Sequence, residues 1–444
     1  MTVLVDDVRR VAGAPPWWSR YVELTLELGI GRANSAGTVV GAWDRSHWDR
    51  ANDAHWSGLE PTWIAVDPCR IVDLSIARGR ERWIDRYGAS SLTATLEDPD
   101  GWLSWSTDND DVVDTRIGRP ARVTARIVET GDVIPMWRGW IEGLDDTFAP
   151  NEVPSVKLTC QDGYAQVAHV DQPEQDPVGE GERSDERVAR LLALADWPPQ
   201  WQALEQGRIT VQATNLARQL ADDLGVTADS EGGALYSDRD DTFVFRNRDW
   251  LRTDPRATNV QAIIGGPDRD FCATVYETTR SGQDIVNDVQ FARAGGNMRR
   301  FVDTASVSMY RRRTYQRTDF VCETDAQVDV LAGRVLNARS RGQIRVPTIG
   351  LAPYDDPAEW RFVCEVDYGW MLQVNYDPQT VVRGAHPVAL DTGWSRTVQV
   401  QGMEYRISPG GWNVTLRVDD AAVSAGDTWD GIRGWDRALW AEAE

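Results

Sequence analysis

Apolar and polar residues alternate strictly in two long stretches of the chain. In the first stretch, apolar side chains occupy every second position over 92–96, 121–127 and 156–160. A period of two indicates strands that bury one face and leave the other in water. These strands predict an antiparallel β-barrel or sandwich over residues 68–168.

The second alternating stretch predicts another β-barrel, over residues 271–420. Its clearest element is a hairpin, because alternating flanks enclose the turn Ser408-Pro409-Gly410-Gly411, and glycines favour a tight reversal of the chain. One helix is expected among these strands. Thr324 and Gln327 form a capping-box pattern that opens a helix near 324–340.

The middle of the chain, residues 169–270, changes to a helical period. Apolar residues spaced by three and four positions predict one helix after Ser184 and a second helix that ends at Gly225. Two short runs, 234–237 and 242–246, then predict a hairpin. This region is therefore expected to form a small α+β domain. The apolar residues of the two helices are Val188, Leu191, Leu192 and Ala195, and then Leu216, Leu220 and Leu224.

A weak internal repeat relates the two β regions. Three short segments of the first region recur in the second in the same order, with matching apolar and glycine positions. Self-similarity of this kind indicates duplication of one structural unit, and chance similarity between strands is the alternative. We expect two barrels that superpose. The matched segments are 118–123 with 369–374, 141–144 with 400–403 and 156–162 with 414–420, which match Gly143 to Gly402 and Leu158 to Leu416.

Together these elements predict a mainly β protein with an α+β insertion. Two related antiparallel β-barrel domains flank the small α+β domain. A chain of 444 residues exceeds the length at which a single core keeps growing, so several domains are expected. The remaining segments are an N-terminal tryptophan-rich extension over 1–67 and a C-terminal tail over 421–444 that is rich in Trp and Asp.

The composition is strongly acidic. The chain has 47 basic and 69 acidic residues and a formal net charge of −22, which disfavours nucleic-acid binding across the whole surface. Lys157 is the only lysine, a bias that a GC-rich genome produces. The 5 cysteines are scattered without a C-x-x-C pair and are expected to be buried apolar residues. We find neither a membrane span nor a signal core at the start of the chain.

The residues offer no recognised catalytic pattern, because H-E-x-x-H, G-x-S-x-G and a Walker loop are all absent. His47 and His55 are a poor basis for a zinc site, and the acidic turns 108–111 and 238–241 lack the glycine and glutamate of an EF-hand. Arg311-Arg312-Arg313 is better explained by pairing with carboxylates than by stacking on bases. We predict no catalytic, cofactor-binding or metal-binding residue, no cofactor and no enzymatic activity.

Tryptophan is unusually abundant, with 21 residues, many of them near the two ends of the chain. Large aromatic side chains on segments rich in Gly, Asp and Ser usually bury against another surface. We expect these residues to bind a partner, and the alternative is that they pack on the chain's own barrels. The candidate partner-binding residues are Trp17, Trp18, Trp43, Trp48, Trp429, Trp435 and Trp440.

Two parts of the sequence resemble a known family. The segment 137–143, followed by 156–162, resembles the end of the first barrel in tail hub proteins of long-tailed phages. The segment 231–238, followed by 243–248, is similar to the E-x-G-x-L-Y hairpin ending in F-R-x-R of minor tail proteins of actinobacterial phages. Asp240-Asp241 departs from the Asp-Gly that this family more often carries in the turn. The arginine-for-lysine bias agrees with actinobacterial hosts.

The resemblance implies a structural hub protein in the baseplate, at the tail tip of a siphophage virion, made in the host cytoplasm. It implies a homotrimeric ring in which the two barrels of each chain alternate around the axis. The implied partners are the distal tail protein, the C-terminal end of the tape measure protein, and tip or receptor-binding tail proteins. DNA is expected to pass through the lumen without specific binding.

Two other functions remain open from the residues alone. A host-glycan-binding tail adhesin is the alternative, because exposed tryptophans stack on the faces of sugars. A cell-wall hydrolase is the third possibility, because 69 acidic residues include some paired carboxylates by chance.

Overall fold

The computed structural model describes residues 15–31, 62–103, 117–171, 176–215, 219–279, 282, 285–342, 345–376 and 393–421. No helix among them is long and apolar enough to cross a membrane. Several predictions lie outside the described residues, namely those on His47, His55, Leu216, the turn 108–111, Trp43, Trp48, Trp429, Trp435 and Trp440.

Strands dominate the described part of the chain. In chain order they are β1 Val22–Gly31, β2 Thr62–Ala65, β3 Ile71–Gly79, β4 Ser91–Glu97, β5 Pro120–Ile127, β6 Val133–Thr147, β7 Ser155–Gln161, β8 Glu182–Arg183, β9 Gln202–Leu204, β10 Thr210–Val211, β11 Ala234–Ser237, β12 Phe243–Arg246, β13 Val260–Ile264, β14 Val275–Thr279, β15 Asp288–Arg293, β16 Arg299–Val302, β17 Thr314–Phe320, β18 Arg345–Leu351, β19 Met371–Tyr376, β20 Trp394–Ser408 and β21 Gly411–Asp420.

The helices lie mostly in the middle of the chain. They are α1 Gly163–Ala168, α2 Ser184–Leu194, α3 Leu220–Glu231, α4 Trp250–Thr253, α5 Pro255–Thr258, α6 Thr304–Tyr310, α7 Asp325–Arg339 and α8 Pro357–Glu365, with short 3-10 turns at Trp17–Arg20, Pro68–Arg70 and Pro199–Trp201.

One 13-stranded sheet contains the strands of both β regions. Its neighbours follow the order β14-β18-β21-β20-β3-β4-β7-β6-β5-β1-β2, with β19 beside β20 and β13 beside β19. The protein is therefore mainly β with large antiparallel sheets, as the alternation predicts. The described strands form an open order and no closed barrel. Strand β20 of the second region pairs with β3 of the first, so the two predicted barrels are parts of one sheet.

The first β region begins well before residue 68. Strand β1 pairs along the whole of β5, from Val22 opposite Ile127 to Leu28 opposite Ala121. Much of the segment 1–67 that is described is therefore part of the sheet and not an extension.

The second β region starts at β13 and is interrupted in its middle. Strands β15 to β17 form a separate three-stranded sheet covered by α7, and the large sheet resumes at β18. Helix α7 begins after the predicted reciprocal capping of Thr324 and Gln327. Its apolar face packs with Ile209, Val211 and Val226 of the middle region. This segment therefore joins the α+β part of the molecule and not the β region predicted over 271–420.

The middle region confirms one predicted helix and corrects the other. Helix α2 begins at Ser184, as expected. Helix α3 runs through Gly225 and ends at Glu231. The next residue, Gly232, has a φ of 68°, a left-handed conformation that favours glycine after a helix. The predicted hairpin forms as β11 and β12, with Ala234 opposite Arg246.

The two β regions share one hydrophobic core, to which Leu74, Leu158, Trp360 and Leu416 all contribute. This follows from the continuous sheet, whose inward residues lie side by side across the boundary between the regions. The middle region has a core of its own around Leu191, with α2 and α3 packed on the β11–β12 hairpin.

Glu231, at the end of α3, is a buried hydrogen-bond centre of the middle region. The side chain is fully buried. Its Oε2 accepts hydrogen bonds from the Ser184 hydroxyl at 2.7 Å and the Arg208 main-chain N–H at 3.0 Å. Its Oε1 lies 3.2 Å from Nε of Arg248. A buried carboxylate with these partners holds α2, α3 and the chain after β12 together.

We predict that Glu231→Gln lowers the free energy of unfolding by about 3–5 kcal/mol, because it leaves the Arg248 guanidinium buried without its counter-charge. Urea denaturation followed by tryptophan fluorescence measures the change. The exposed Glu129 provides the matched control, since Glu129→Gln is expected to change stability by less than about 0.5 kcal/mol. Equal effects of the two substitutions would contradict the prediction.

Candidate assembly site

The two β regions meet at an antiparallel pair between β3 and the second half of β20. The pair ends with Gly79 opposite Gly402. A Cβ atom on Gly79 would lie 2.5 Å from the Gln401 carbonyl oxygen, and one on Gly402 would lie 2.7 Å from the Arg80 carbonyl oxygen. Gly79 also has a φ of 95°, which L side chains rarely adopt. Any larger residue at these two positions forces the strands apart.

A cluster of charges connects this junction to the middle region. Asp367, between α8 and β19, lies 3.4 Å from the Arg78 guanidinium of β3 and 3.2 Å from the Arg239 guanidinium of the β11–β12 turn. Arg239 also donates to the carbonyl oxygens of Cys364 and Val366. Burial by itself raises the pKa of Asp367, but the charges of Arg239 and Arg78 outweigh burial and hold this pKa below its usual range.

Three tyrosine rings pack beside these charges. Tyr87, Tyr236 and Tyr368 come from the first β region, the middle region and the second β region, and their ring centroids lie 5.1, 5.0 and 4.9 Å apart. The Arg80 guanidinium lies 4.3 Å from the centroid of Tyr87, and its Nε donates to the Gln401 side chain at 2.9 Å. One element from each part of the molecule therefore meets at this point.

Two buried carboxylates lie where the β11–β12 turn contacts the first β region. Asp241 accepts a hydrogen bond from the Gly163 main-chain N–H at 2.6 Å and from the Trp140 indole at 3.0 Å. Asp162 accepts one from the Ser90 hydroxyl at 2.6 Å. Burial raises the pKa of Asp162 to about 6, and burial together with the Asp162 charge raises the pKa of Asp241 to about 8.

The strand registers of the two β regions agree with the predicted repeat. Leu144 of β6 faces Leu158 of β7, and Met403 of β20 faces Leu416 of β21. Each long strand has a register shift at the same place, between Ile141 and Gly143 in β6 and between Val400 and Gly402 in β20. A shared bulge in a shared register indicates a common design, because bulges are specific features of a fold.

Main-chain hydrogen bonds around the two bulges also correspond. The Gly118 N–H donates to the Ile141 carbonyl at 2.7 Å, and the Gly369 N–H donates to the Val400 carbonyl at 2.8 Å. Gly118 and Gly369 have φ values of 79° and 76°. The repeat therefore includes the tight turns that lead into β5 and β19 and not only the apolar pattern.

Two of the strand edges have no partner among the described residues. Strand β14 pairs only with β18, and the second half of β6, residues 143–147, pairs only with β7. Val275 on β14 is 53% exposed, and Phe148, which follows β6, is 69% exposed. Exposed edges that carry apolar residues favour pairing with another chain. These two edges are therefore the candidate assembly sites.

Two of the candidate partner-binding tryptophans pack inside the chain. The Trp17 indole donates to the Gly410 carbonyl at 3.1 Å, and the Trp18 indole donates to the Ser408 carbonyl at 2.9 Å. Trp18 is buried, and its ring lies 5.6 Å from that of Trp412. These contacts match the alternative that the tryptophans pack on the chain's own β structure, and they attach the start of β1 to the second β region.

The other residues singled out for chemistry have structural partners. In the acidic turn 238–241, Oδ1 of Asp238 accepts hydrogen bonds from two main-chain N–H groups. Arg312 lies 3.5 Å from Asp288, which agrees with pairing to a carboxylate. The described residues contain no group of three or more potential metal ligands. Cys69 and Cys272 are exposed, contrary to the expected burial, whereas the other cysteines are buried.

We predict that the free energy of unfolding decreases as the pH rises from about 4, the ordinary pKa of an aspartate, to about 8, the raised folded-state pKa of Asp241. The folded-state pKa values of Asp162 and Asp241 are raised, so their contribution to stability is complete below the unfolded-state pKa and is lost as the pH passes the folded values. Asp241→Asn removes one titrating group and is expected to flatten this slope, by up to about 1.4 kcal/mol per pH unit.

Denaturant unfolding at a series of pH values measures this slope. Asp132→Asn is the control, because the exposed Asp132 carboxyl has a lowered pKa and does not titrate in the same window. A slope that Asp241→Asn leaves unchanged would show that the buried pair does not control the pH dependence.

Comparisons with known proteins support the fold. No family model matches the chain, and no curated protein matches it. The chain is similar in structure to the tail protein from Neisseria meningitidis MC58, with 12% sequence identity and a TM-score of 0.58, covering 92% of this chain and 99% of that one. It is also similar to the 43 kDa tail protein of prophage MuSo2 from Shewanella oneidensis, with 11% identity and a TM-score of 0.51, covering 80% and 95%. The chain has the fold of these tail proteins over most of its length.

Proposed function

We propose that the protein is a structural component of a phage tail, a hub in the baseplate at the tail tip. In this role it forms a homotrimeric ring that joins the tail tube to the tip proteins. The observation that carries the proposal is the similarity in fold to two tail proteins, which extends over 92% of this chain in one case and 80% in the other.

The internal repeat supports a ring of this kind. A closed oligomer of three chains with two similar units each presents six similar units around its axis. Such a ring fits a six-fold tube on one side and a three-fold tip on the other. The matched registers of β6–β7 and β20–β21 supply the similar units that this symmetry needs.

The proposed neighbours follow from the position in the tail. The distal tail protein contacts the ring on the tube side, the C-terminal end of the tape measure protein lies in the lumen, and tip or receptor-binding proteins attach below. The tryptophans outside the described residues are proposed contacts for these partners. The host is proposed to be an actinobacterium, on the basis of Lys157 being the only lysine.

The net charge of −22 suits a lumen through which DNA passes. An arginine-rich lumen would bind phosphates through counterion release and slow the passage of DNA, whereas acidic walls avoid such binding. The alternative arrangement places the acidic excess on the outer surface and arginines in the lumen, and it would contradict this proposal. The electrostatic potential along the channel of the assembled ring decides between the two.

We predict that the purified full-length chain forms a trimer, with a mass three times the 49.7 kDa of one chain. Native mass spectrometry measures this mass directly. Electron microscopy of particles with gold-labelled antibody against the protein is expected to show label at the distal end of the tail. Label on the capsid, or no label on the virion, would rule out the proposed role.

We further predict that the purified protein does not hydrolyse host cell wall, because the proposed role is structural and not catalytic. Zymography on host cell wall measures this activity, with a known wall hydrolase as the positive control. Hydrolysis that a single Asp or Glu substitution abolishes would contradict the prediction.

A further inference from the structure

We propose that the open edge of residues 143–148 pairs in antiparallel fashion with β14 of a second copy of this chain. The register of this pairing follows from the internal repeat. The inference rests on the proposed ring and names the strands that join its subunits.

Strand β6 corresponds to β20, and β20 shows what an edge of this kind binds. Both strands use one side of their second half to pair with the next strand of the repeat, β7 or β21. The other side of β20 pairs with β3 of the neighbouring repeat in the same chain. The corresponding side of β6 has no partner among the described residues. The partner expected there is the strand that corresponds to β3.

Strand β14 is the counterpart of β3. Leu158 of β7 faces Ala94 of β4, and its match in the other repeat, Leu416 of β21, faces Ile349 of β18. One strand further, Leu74 of β3 faces Ala94, and Tyr276 of β14 faces Ile349. Leu74 and Tyr276 therefore occupy the same position. The side of β14 that corresponds to the β20-facing side of β3 has no partner in the part of the chain that the structure describes.

The pairing of β3 with β20 fixes the register between copies. Leu74 faces Ile407 in the chain. The counterpart of Leu74 is Tyr276. The counterpart of Ile407 is Phe148, because these two residues lie four positions after the matched Met403 and Leu144. Transferring each aligned pair gives three predicted cross-strand pairs between one chain and its neighbour. They are Phe148 with Tyr276, Thr147 with Glu277, and Asp146 with Thr278.

The residues on the two edges suit this register. Phe148 is 69% exposed in the single chain. In the proposed pairing it faces Tyr276, and aromatic pairs across two strands stabilise a sheet. The Oδ1 atom of Asp146 is buried and accepts no hydrogen bond from the described residues. Thr278 of the second copy brings a hydroxyl donor opposite this carboxylate. Main-chain hydrogen bonds along an added strand supply most of the binding energy in such pairings.

The charges favour two different edges over one edge paired with itself. An antiparallel pairing of two β6 edges centred on Asp145 and Asp146 would set carboxylates opposite each other, which destabilises a sheet. Pairing with β14 instead sets these residues opposite threonines. An interface between two different surfaces is head-to-tail and closes into a ring when its rotation allows.

Cross-linking between two differently labelled chains tests the register. Cys69 and Cys272 are exposed and are first replaced by serine. Thr147→Cys and Glu277→Cys are then made in separate, differently tagged chains and co-expressed. Directly opposed residues have Cβ atoms close enough for a disulfide, so mild oxidation is expected to join the two chains. Each variant alone is expected to remain uncross-linked. Val133→Cys combined with Glu277→Cys is a further control that is expected to remain uncross-linked, because Val133 lies at the other end of β6 and is 61% exposed.

A second variant tests the energy of the interface without depending on oxidation. Phe148→Asp is expected to raise the dissociation constant of the oligomer by at least about 10-fold, because the interface then buries an unpaired charge. Met309→Asp is the matched control, since Met309 is 72% exposed and lies on α6, away from both edges. Analytical ultracentrifugation measures both constants.

The outcomes separate this inference from the proposed function. Cross-linking at Thr147 and Glu277 together with a selective effect of Phe148→Asp supports the pairing. An oligomer that forms without this cross-link, or that responds equally to the two aspartate variants, overturns the pairing and leaves the hub role standing. A chain that stays monomeric at every concentration tested overturns the ring and the pairing together.

Discussion

The close approach of two glycines is the constraint on which the rest of the molecule depends. Gly79 and Gly402 let β3 and β20 pair across the boundary of the repeats, and this pairing makes one sheet of two β regions. Because strands in a sheet have a limited range of twist, the pair also fixes the rotation of one repeat relative to the other. The directions of the two open edges follow from that rotation.

Buried charges give the junction its specific geometry more than its stability. Asp367 lies between Arg78 and Arg239, and Asp419 of β21 lies 2.6 Å from Arg339 of α7 and 2.7 Å from Arg345 of β18. Removing such groups from water costs much of the energy that their attraction provides. Hydrogen bonds between charged groups are directional, however, and constrain the geometry of the groups that form them. The clusters therefore select how α7, the middle region and the two repeats dock.

The sequence predicts elements whose signals are local and misses those that depend on distant contacts. Helix α2 and the β11–β12 hairpin were predictable because their caps, turns and periods lie within a few residues. Gly225 suggested a helix end, but this glycine lies inside α3. A Cβ atom there would lie 3.0 Å from the Arg86 side chain, a close approach that the sequence does not show. Strand β1 alternates clearly from Val22 to Ile30, so the sequence does contain a local signal for this strand, directly after the first tryptophans. The two glycines at the junction lie 323 positions apart in the sequence, and no local pattern indicates that they meet.

The two repeats share the pairing of five strands, β3-β4-β7-β6-β5 in the first and β14-β18-β21-β20-β19 in the second. They differ at the next strand, because β1 runs antiparallel to β5 whereas β13 runs parallel to β19, and in the segments that connect the strands. The connection from β3 to β4 is short, whereas the corresponding connection from β14 to β18 contains β15, β16, β17 and α7. The insertion packs on the middle region through residues such as Val226 and leaves the register of β20 with β21 unchanged. In the proposed ring, three-fold character would arise from what is inserted between strands, since only one repeat of each chain carries the addition. Six-fold similarity in that ring would rest on the strands themselves, because both repeats carry the same bulge and the same register in the pairs β6–β7 and β20–β21. One chain of the proposed ring thus contributes to both symmetries.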